Sequence, residues 1–287
     1  MNRERNISDL VLPDRIQHPG ERCRIMGILN VTPDSFSDGG EHLRVADAVA
    51  HARSMIADGA DIIDIGGEST RPGAAELPPD EELRRVLPVI EALRRESDIP
   101  ISIDTRHADV ARAALDAGAD LINDVSALRH DPRMAEVAAA CGAPVVLMHM
   151  AGTPATMQDA PSYKNVTQDI YIFFEERIAF CHAAGMTELV LDPGIGFGKT
   201  VAHNLQLVRE LADFGPLGCP LLVGTSRKSF LGALTGAEPP DRLPGTIASC
   251  LSAWRRGAGI LRVHDVRAVR DALRVADAIE EGGAHAV

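Results

Sequence analysis

The run Asp61-Ile62-Ile63-Asp64-Ile65 decides the fold, because it lies between two longer stretches that have a helical period. Residues 44–57 before it and 80–95 after it carry apolar side chains at spacings of three and four, which is typical of amphipathic helices. A short run rich in isoleucine between two helices is typical of a buried parallel strand. The sequence therefore predicts a strand at 61–65 that is flanked by helices.

The same unit recurs along the chain. Strands are predicted at 24–29, 61–65, 100–103, 120–122, 144–148, 188–191, 220–223 and 259–263, and helices at 44–57, 80–95, 108–117, 165–184, 201–212 and 265–280. Such alternation predicts parallel strands joined by helical crossovers. An open doubly wound sheet would alternate in the same way, but eight near-equal units favour a closed α/β structure, the (β/α)8 TIM barrel.

The domain organisation predicted from composition is simple. Residues 24–280 form one barrel domain, preceded by a polar leader at 1–23 and followed by a short tail at 281–287. Four glycines each follow a helix, where a left-handed cap suits glycine: Gly59, Gly118, Gly142 and Gly185.

Composition excludes several functional classes. The 287 residues carry a net charge of −12 and only 3% aromatic residues, which argues against binding of nucleic acid. No apolar run is long enough to cross a bilayer, and residues 1–21 lack the apolar core of a secretory signal. The five cysteines are far apart and form no Cys-x-x-Cys pair, so we expect them to be reduced packing residues in a cytoplasmic protein.

Polar residues follow nearly every predicted strand: Asn30, Glu68, Thr70, Arg71, Asp104, Asn123, Asp124, His149, Asp192, Arg227, Lys228, Arg262 and His264. In a barrel these positions surround one mouth, the face where barrel enzymes catalyse reactions. Each residue alone is equally compatible with a helix N-cap. Asp265 suits that role better than a ligand role, and His149 is more typical of a packing residue.

Three segments have features of anion sites. Residues 194–200 contain Gly-x-Gly-x-Gly-Lys-Thr, but the position where a phosphate loop needs its first glycine is Pro193. Lys199 is thus equally compatible with a solvated charge and with a ligand. Ser226-Arg227-Lys228-Ser229 opens a helix directly after a strand, where backbone N–H groups favour anions. Alternation places Arg262 and His264 on one side of the last strand.

These residues carry a resemblance to the dihydropteroate synthases of the pterin-binding barrel superfamily. Both long signature segments of that family are present, at 27–40 and 61–73, with shorter matches at 102–105, 122–126, 147–150, 192–199, 224–230 and 262–266. The resemblance spans residues 24–279. It implies a transferase of folate biosynthesis that condenses 6-hydroxymethyl-7,8-dihydropterin diphosphate with 4-aminobenzoate and releases pyrophosphate.

The resemblance also implies roles for individual residues. The pterin would be bound by Asp104, Asn123, Asp192, Lys228 and Arg262. The diphosphate would be bound by Asn30, Thr70, Arg71, Arg262 and His264, with Mg²⁺ contacting Asn30. The 4-aminobenzoate would lie near Thr70, Pro72, Phe197, Lys228 and Ser229. The catalytic set is then Asp104, Arg71, Lys228 and Arg262.

Other implications concern ligands and assembly. The resemblance implies a homodimer and competition by sulfonamides, with no nucleic-acid or membrane partner. Ala151 and Ala155 depart from the polar or basic residues of many relatives, which affects loop contacts. Two alternatives stay open: a methyltetrahydrofolate-binding methyltransferase domain, which gives no reason for the two anion sites, and a pterin-binding paralogue without catalysis.

Overall fold

A computed structural model describes residues 23–31, 41–68, 77–153, 156–158 and 161–280. Eight parallel strands form a closed barrel in chain order, and β8 pairs with β1 to close it. The strands are β1 (Arg24–Asn30), β2 (Ile62–Gly66), β3 (Ile101–Asp104), β4 (Leu121–Asp124), β5 (Val145–Met148), β6 (Leu189–Asp192), β7 (Leu221–Val223) and β8 (Ala258–Val263). The predicted (β/α)8 barrel is confirmed, with most strand bounds shifted by one residue.

Helices cover the outside of the barrel. They are α1 (Glu41–Ala57), α2 (Pro79–Glu96), α3 (Ala108–Asp116), α4 (Met134–Cys141), α5 (Val166–Ala183), α6 (Val201–Arg209), α7 (Ser229–Thr235), α8 (Leu243–Trp254) and α9 (Val266–Glu280). The predicted helix at 201–212 is wrong at its end, because α6 stops at Arg209 and a 3₁₀ segment with an internal proline, Leu211–Leu217, follows. Gly59, Gly118, Gly142 and Gly185 all have positive φ, as predicted.

Apolar side chains fill two layers. The larger cluster lies between the sheet and the helices, and a smaller one fills the barrel interior. The interior cluster takes one residue from seven of the strands: Met26, Ile62, Leu121, Val146, Val190, Leu222 and Ile260. Because side chains alternate along a strand, the residue two positions further on faces the same interior.

At this next interior position, polar residues replace the apolar residues of the core. It is occupied in β2, β4, β6 and β8 by polar residues: Asp64, Asn123, Asp192 and Arg262. The strands run in one direction, so these residues lie at the carboxyl end of the barrel, above the apolar layer. The fold thus collects them at one mouth.

The described residues also bear on two compositional expectations. All five cysteines are free thiols, and Cys23, Cys181 and Cys250 are buried, as expected for packing residues. Among the helices in the described ranges, none combines the length and apolar character needed to span a bilayer.

Candidate active site

A buried ion-pair network lies at the centre of the mouth. Arg262 at the end of β8 donates from Nε to Asp64 at 2.6 Å and from Nη2 to Asp104 at 2.7 Å. Although burial alone would lower it, the two carboxylates hold the pKa of Arg262 above its ordinary value. Burial raises the pKa of Asp104, and Arg262 opposes that shift. The two ion pairs therefore hold the Arg262 guanidinium between the carboxylates of Asp64 in β2 and Asp104 in β3.

Strand register explains why these side chains meet. Asn30 of β1 lies opposite Gly66 of β2, Gly66 opposite Asp104 of β3, and Asp104 opposite Asn123 of β4. Gly66 carries no side chain, and a Cβ there would lie 3.4 Å from that of Asp104. Asn123 Nδ2 donates to both oxygens of Asp64, at 3.1 and 3.3 Å. The row therefore presents amide and carboxylate groups side by side.

Asp192 and Lys228 form the opposite wall. Burial raises the pKa of Asp192, while the backbone N–H of Gly194, which donates to it at 2.7 Å, lowers it. Burial and Arg262 lower the pKa of Lys228 to about 8, with Asp192 and Asp104 opposing. Lys228 Nζ lies 4.0 Å from the ring centroid of Phe197, a cation–π contact. This wall thus combines an acceptor, Asp192, with a donor, Lys228, that lies over an aromatic ring.

The rim holds His264 just after β8. The hydroxyl of Ser226 accepts the backbone N–H of His264 and lies 2.9 Å from its Nδ1. Burial, Arg262 and Arg227 lower the pKa of His264 to about 4, so its ring is neutral at neutral pH. A neutral imidazole beside basic groups gains a proton readily when an anion arrives.

Two of the polar residues predicted at strand ends, Arg227 and Asp124, form hydrogen bonds with residues of the surrounding loops. Arg227 donates to both carboxylate oxygens of Asp265, at 3.0 and 2.6 Å, so Asp265 pairs its side chain with an arginine in addition to preceding α9. Asp124 accepts the N–H groups of Ser126 and Leu128, which makes it a loop-stabilising residue.

Glu68 is committed to a structural pair. It forms a buried salt bridge with Arg106 at 2.8 Å. Its Oε1 also accepts the backbone N–H of Leu77 at 3.1 Å. The carboxylate therefore joins the residue before the undescribed stretch 69–76 to the residue after it.

The glycine-rich segment after β6 owes its composition to close packing. Gly194, Gly196 and Gly198 have φ of 67°, 83° and 62°. A Cβ on Gly194 would collide with the carbonyl oxygen of His149, and one on Gly196 would lie 3.0 Å from Lys228 Cδ. Left-handed backbone and tight contact both require glycine here. The segment is thus a packed wall of the mouth.

Lys199 is neither a solvated charge nor exposed at the surface. It is 4% exposed, and its Nζ contacts the ring and carbonyl of His149 and the carbonyl of Phe197. His149 is itself buried against the rings of Tyr163 and Phe173, which agrees with the packing role expected from the sequence. The interpretation of Lys199 as a solvated loop charge is therefore wrong.

The mouth contains most of the predicted site residues. Ser229 is the first residue of α7, next to Lys228. Thr70, Arg71 and Pro72 lie outside the described residues, as does Ala155. Sequence reasoning missed Asp64, although its place two residues after the interior Ile62 was a usable signal.

Comparison with known proteins defines the class. The sequence profile of the family described as "Pterin binding enzyme" matches residues 26–264. The dihydropteroate synthase of Escherichia coli (strain K12) is 50% identical over 265 residues, which are 92% of this chain and 92% of that protein. The match extends over nearly the whole length of both.

Solved structures agree in fold as well as in sequence. Xanthomonas albilineans dihydropteroate synthase, solved with 4-aminobenzoic acid, is 51% identical with a TM-score of 0.86, covering 91% of this chain and 94% of that one. Yersinia pestis dihydropteroate synthase, solved with a sulfonamide drug, is 49% identical with a TM-score of 0.86, covering 91% and 95%. The chain belongs to the dihydropteroate synthases within the pterin-binding enzyme family.

Proposed function

We propose that this chain condenses a 7,8-dihydropterin methyl diphosphate with 4-aminobenzoate, giving 7,8-dihydropteroate and pyrophosphate. The observation that carries the proposal is the ring of Asp64, Asp104, Asn123, Asp192 and Arg262 at the carboxyl end of the barrel. Supporting it, relatives that are about half identical in sequence are named dihydropteroate synthase. The reaction is a transfer of an alkyl group from oxygen to nitrogen.

The pterin is assigned to the polar side chains inside the mouth, namely Asn123, Asp192 and Lys228. Its 2-amino group and ring N–H form a fork of donors that the Asp192 carboxylate accepts in two hydrogen bonds. The amide of Asn123 supplies both a donor and an acceptor, and Lys228 donates to a ring oxygen or nitrogen. Asp192 and Asn123 are 6% and 4% exposed, so bonds to them are shielded from water. Burial strengthens this recognition.

The chemical step breaks the bond between the pterin methylene carbon and the diphosphate oxygen, and the electron pair leaves on that oxygen. The 4-aminobenzoate nitrogen then bonds to the carbon and loses a proton, which an arylammonium releases without a dedicated base. Asp104 and Asp64 favour the positive charge that develops on the pterin. We expect a secondary deuterium isotope effect above unity at the methylene, and a value of unity would contradict a dissociative step.

The leaving group is assigned to the basic residues at the end of β8, with Arg262 inside the strand and His264 just after it. Arg71 and Thr70 belong to the same proposal through the family signature at 61–73. Asn30 offers an amide oxygen, a hard ligand suited to Mg²⁺. With a single protein ligand, Mg²⁺ would be held mainly by diphosphate oxygens and water. When bound, Mg²⁺ would offset charge on the departing pyrophosphate.

The second substrate is assigned to the aromatic side of the mouth. Phe197 offers a ring face beside the Lys228 ammonium, and Ser229 follows directly. Thr70 and Pro72 complete this set by position in the family signature. Sulfonamides carry an arylamine like that of 4-aminobenzoate, and we propose that they compete at this place, as the Yersinia pestis complex supports.

Assembly and location complete the proposal. The family resemblance implies a homodimer, and exposed apolar side chains on several helices, among them Leu205 of α6 and Val275 of α9, are compatible with one. Light scattering on the 30.6 kDa chain should give twice that mass, and a monomeric mass would contradict the dimer. Five free thiols support a reducing compartment such as the cytoplasm.

The test of function is pyrophosphate release by the full chain with Mg²⁺ and both substrates. We expect release only when 4-aminobenzoate is present, and Asp192→Asn should raise the KM for the pterin diphosphate by about a hundredfold. Asp116→Asn, an exposed change at the end of α3, serves as the matched control. Pterin binding without turnover would favour the paralogue without catalysis and contradict the proposal.

A further inference from the structure

Lys199 follows the glycine-rich segment that forms one wall of the mouth. Its side chain turns inward and is 4% exposed, although lysine is rarely buried without a partner. Three acceptors surround Nζ: the carbonyl of Phe197 at 2.9 Å, Nδ1 of His149 at 3.1 Å and the carbonyl of His149 at 3.3 Å. An ammonium group has three N–H donors, so each donor has one acceptor.

These contacts join two separate parts of the barrel. His149 follows β5, and Phe197 lies in the segment after β6. Further bonds hold the same segment, from Tyr163 OH to the carbonyl of Gly198 at 2.8 Å and from Gly196 N–H to Asn204 at 2.7 Å. The bond from Lys199 acts directly on the carbonyl of Phe197, whose N–H donates to the carbonyl of Gly194 at 3.0 Å. Lys199 therefore influences where the Phe197 ring lies.

The position of the ring matters because Lys228 lies over it. The Nζ of Lys228 is 4.0 Å from the centroid of Phe197, and a Cβ on Gly196 would already touch the Lys228 stem at 3.0 Å. A displacement of Phe197 would weaken this cation–π contact, which requires the ammonium within about 6 Å of the ring centroid, and would change the space between the two side chains. The hydrogen bonds of Lys199 Nζ to Phe197 and His149 form a tether, which thus controls the distance between the Phe197 ring and Lys228 Nζ.

Charges around Lys199 make the tether sensitive to pH. Burial lowers the pKa of Lys199 to about 7, Asp192 opposes the shift and Lys228 reinforces it. His149 stays neutral, since burial, Lys199 and Arg129 lower its pKa to about 2. Loss of the proton removes the charge that strengthens these hydrogen bonds, so the tether weakens as pH rises.

We propose that Lys199 is a positioning residue for the second substrate: it holds the Phe197 backbone to the His149 strand end and thereby sets the Phe197 ring against Lys228. The inference rests on the proposed function, in which Phe197 and Lys228 line the 4-aminobenzoate pocket. Lys199 itself is hidden behind this wall and acts through Phe197.

The kinetic test uses Lys199→Met, which keeps an unbranched stem and removes the donors. Losing a charge-assisted hydrogen bond should raise the KM for 4-aminobenzoate by about tenfold, while the KM for the pterin diphosphate changes less than about twofold. Lys164→Met is the matched control, because Lys164 is exposed and is not among the residues assigned to the site. Equal changes in both KM values, or none, would overturn the proposal.

A spectroscopic test does not depend on activity. The chain has three lysines, Lys164, Lys199 and Lys228, so ¹³C-ε-lysine labelling gives three assignable side-chain signals. The Phe197 ring current should shift the Lys228 signal, and Lys199→Met should remove that shift. An unchanged Lys228 signal would overturn the positioning role even if the wild-type chain showed no turnover. If the wild-type chain showed no turnover but Lys199→Met changed the Lys228 signal, the assigned reaction would be contradicted and the positioning role of Lys199 would still be supported.

The wild-type chain provides a third measurement that needs no variant to fold. At saturating pterin diphosphate, the KM for 4-aminobenzoate should rise with pH, with a midpoint that matches the titration of the Lys199 signal. The carboxylate and amine of 4-aminobenzoate do not titrate in this range. A KM that is flat across the Lys199 titration would refute the proposal.

Discussion

Glu82 lies in the first turn of α2 and is fully buried beneath Gly67. Burial raises the pKa of Glu82 to about 8, and the hydroxyl of Thr105 only partly opposes this. The folded chain therefore keeps a proton up to about pH 8, whereas the unfolded chain releases it near the ordinary value of 4.5. Between these values the folded state binds more protons, so stability falls as pH rises.

The magnitude follows from linkage. Well inside this window each pH unit lowers the free energy of unfolding by about 1.4 kcal/mol. The slope is shallower near each of the two pKa values, so the total between about pH 5 and pH 8 is about 3.5 kcal/mol. Glu82→Gln keeps the shape of the neutral acid and cannot ionise. The variant should therefore gain about that much stability relative to the wild type over the same range.

Urea unfolding of both proteins, followed by circular dichroism at several pH values, measures the difference. Glu91→Gln on the exposed side of α2 is the control, and its curve should run parallel to that of the wild type. Parallel curves for Glu82→Gln and the wild type, within about 0.5 kcal/mol, would refute the reasoning, because they would mean that Glu82 is ionised in the folded chain.

Three further changes test the site. Asp64→Asn removes the carboxylate that pairs with Arg262 at 2.6 Å, and we expect kcat/KM for the pterin diphosphate to fall about a hundredfold in the pyrophosphate assay. Gly194→Ala places a methyl group against a backbone carbonyl, so thermal unfolding should show a loss at least about 2 kcal/mol larger than for Gly185→Ala, where the space is open. His264 has a pKa of about 4 in the free protein, and an adjacent anion raises it. Pyrophosphate binding near pH 6 should then be accompanied by proton uptake in calorimetry, and His264→Gln should take up fewer protons with the same ligand. Full activity of Asp64→Asn, equal losses for the two glycine variants, or unchanged proton uptake in His264→Gln would each contradict the corresponding assignment.

Strands were predictable because each is a short apolar run buried on both faces. Residues 61–65 were expected and Ile62–Gly66 is observed, a shift of one residue. Strand ends are set by where pairing stops, which local composition indicates only roughly. The number of strands, combined with their even spacing, was enough to indicate closure.

Helices without a distinct polar face were harder to predict. The helix α4, Met-Ala-Glu-Val-Ala-Ala-Ala-Cys, is short and rich in alanine, and α8 opens with Leu-Pro-Gly-Thr, a sequence typical of a turn. Neither helix is predicted from the sequence. In both cases packing against neighbouring elements decides the conformation, and the local pattern is weak.

By itself, the sequence determined the eight-stranded barrel, the mouth at its carboxyl end and the polar residues that surround it, because alternation and apolar periodicity are local properties. Which polar residues pair with each other was decided by the tertiary structure. Asp64 contacts Arg262 from the far end of the chain, and Lys199 contacts His149 across 50 residues. Closing the barrel brings such side chains within hydrogen-bond distance, and burial then makes each pair obligatory because an unpaired charge there would be costly.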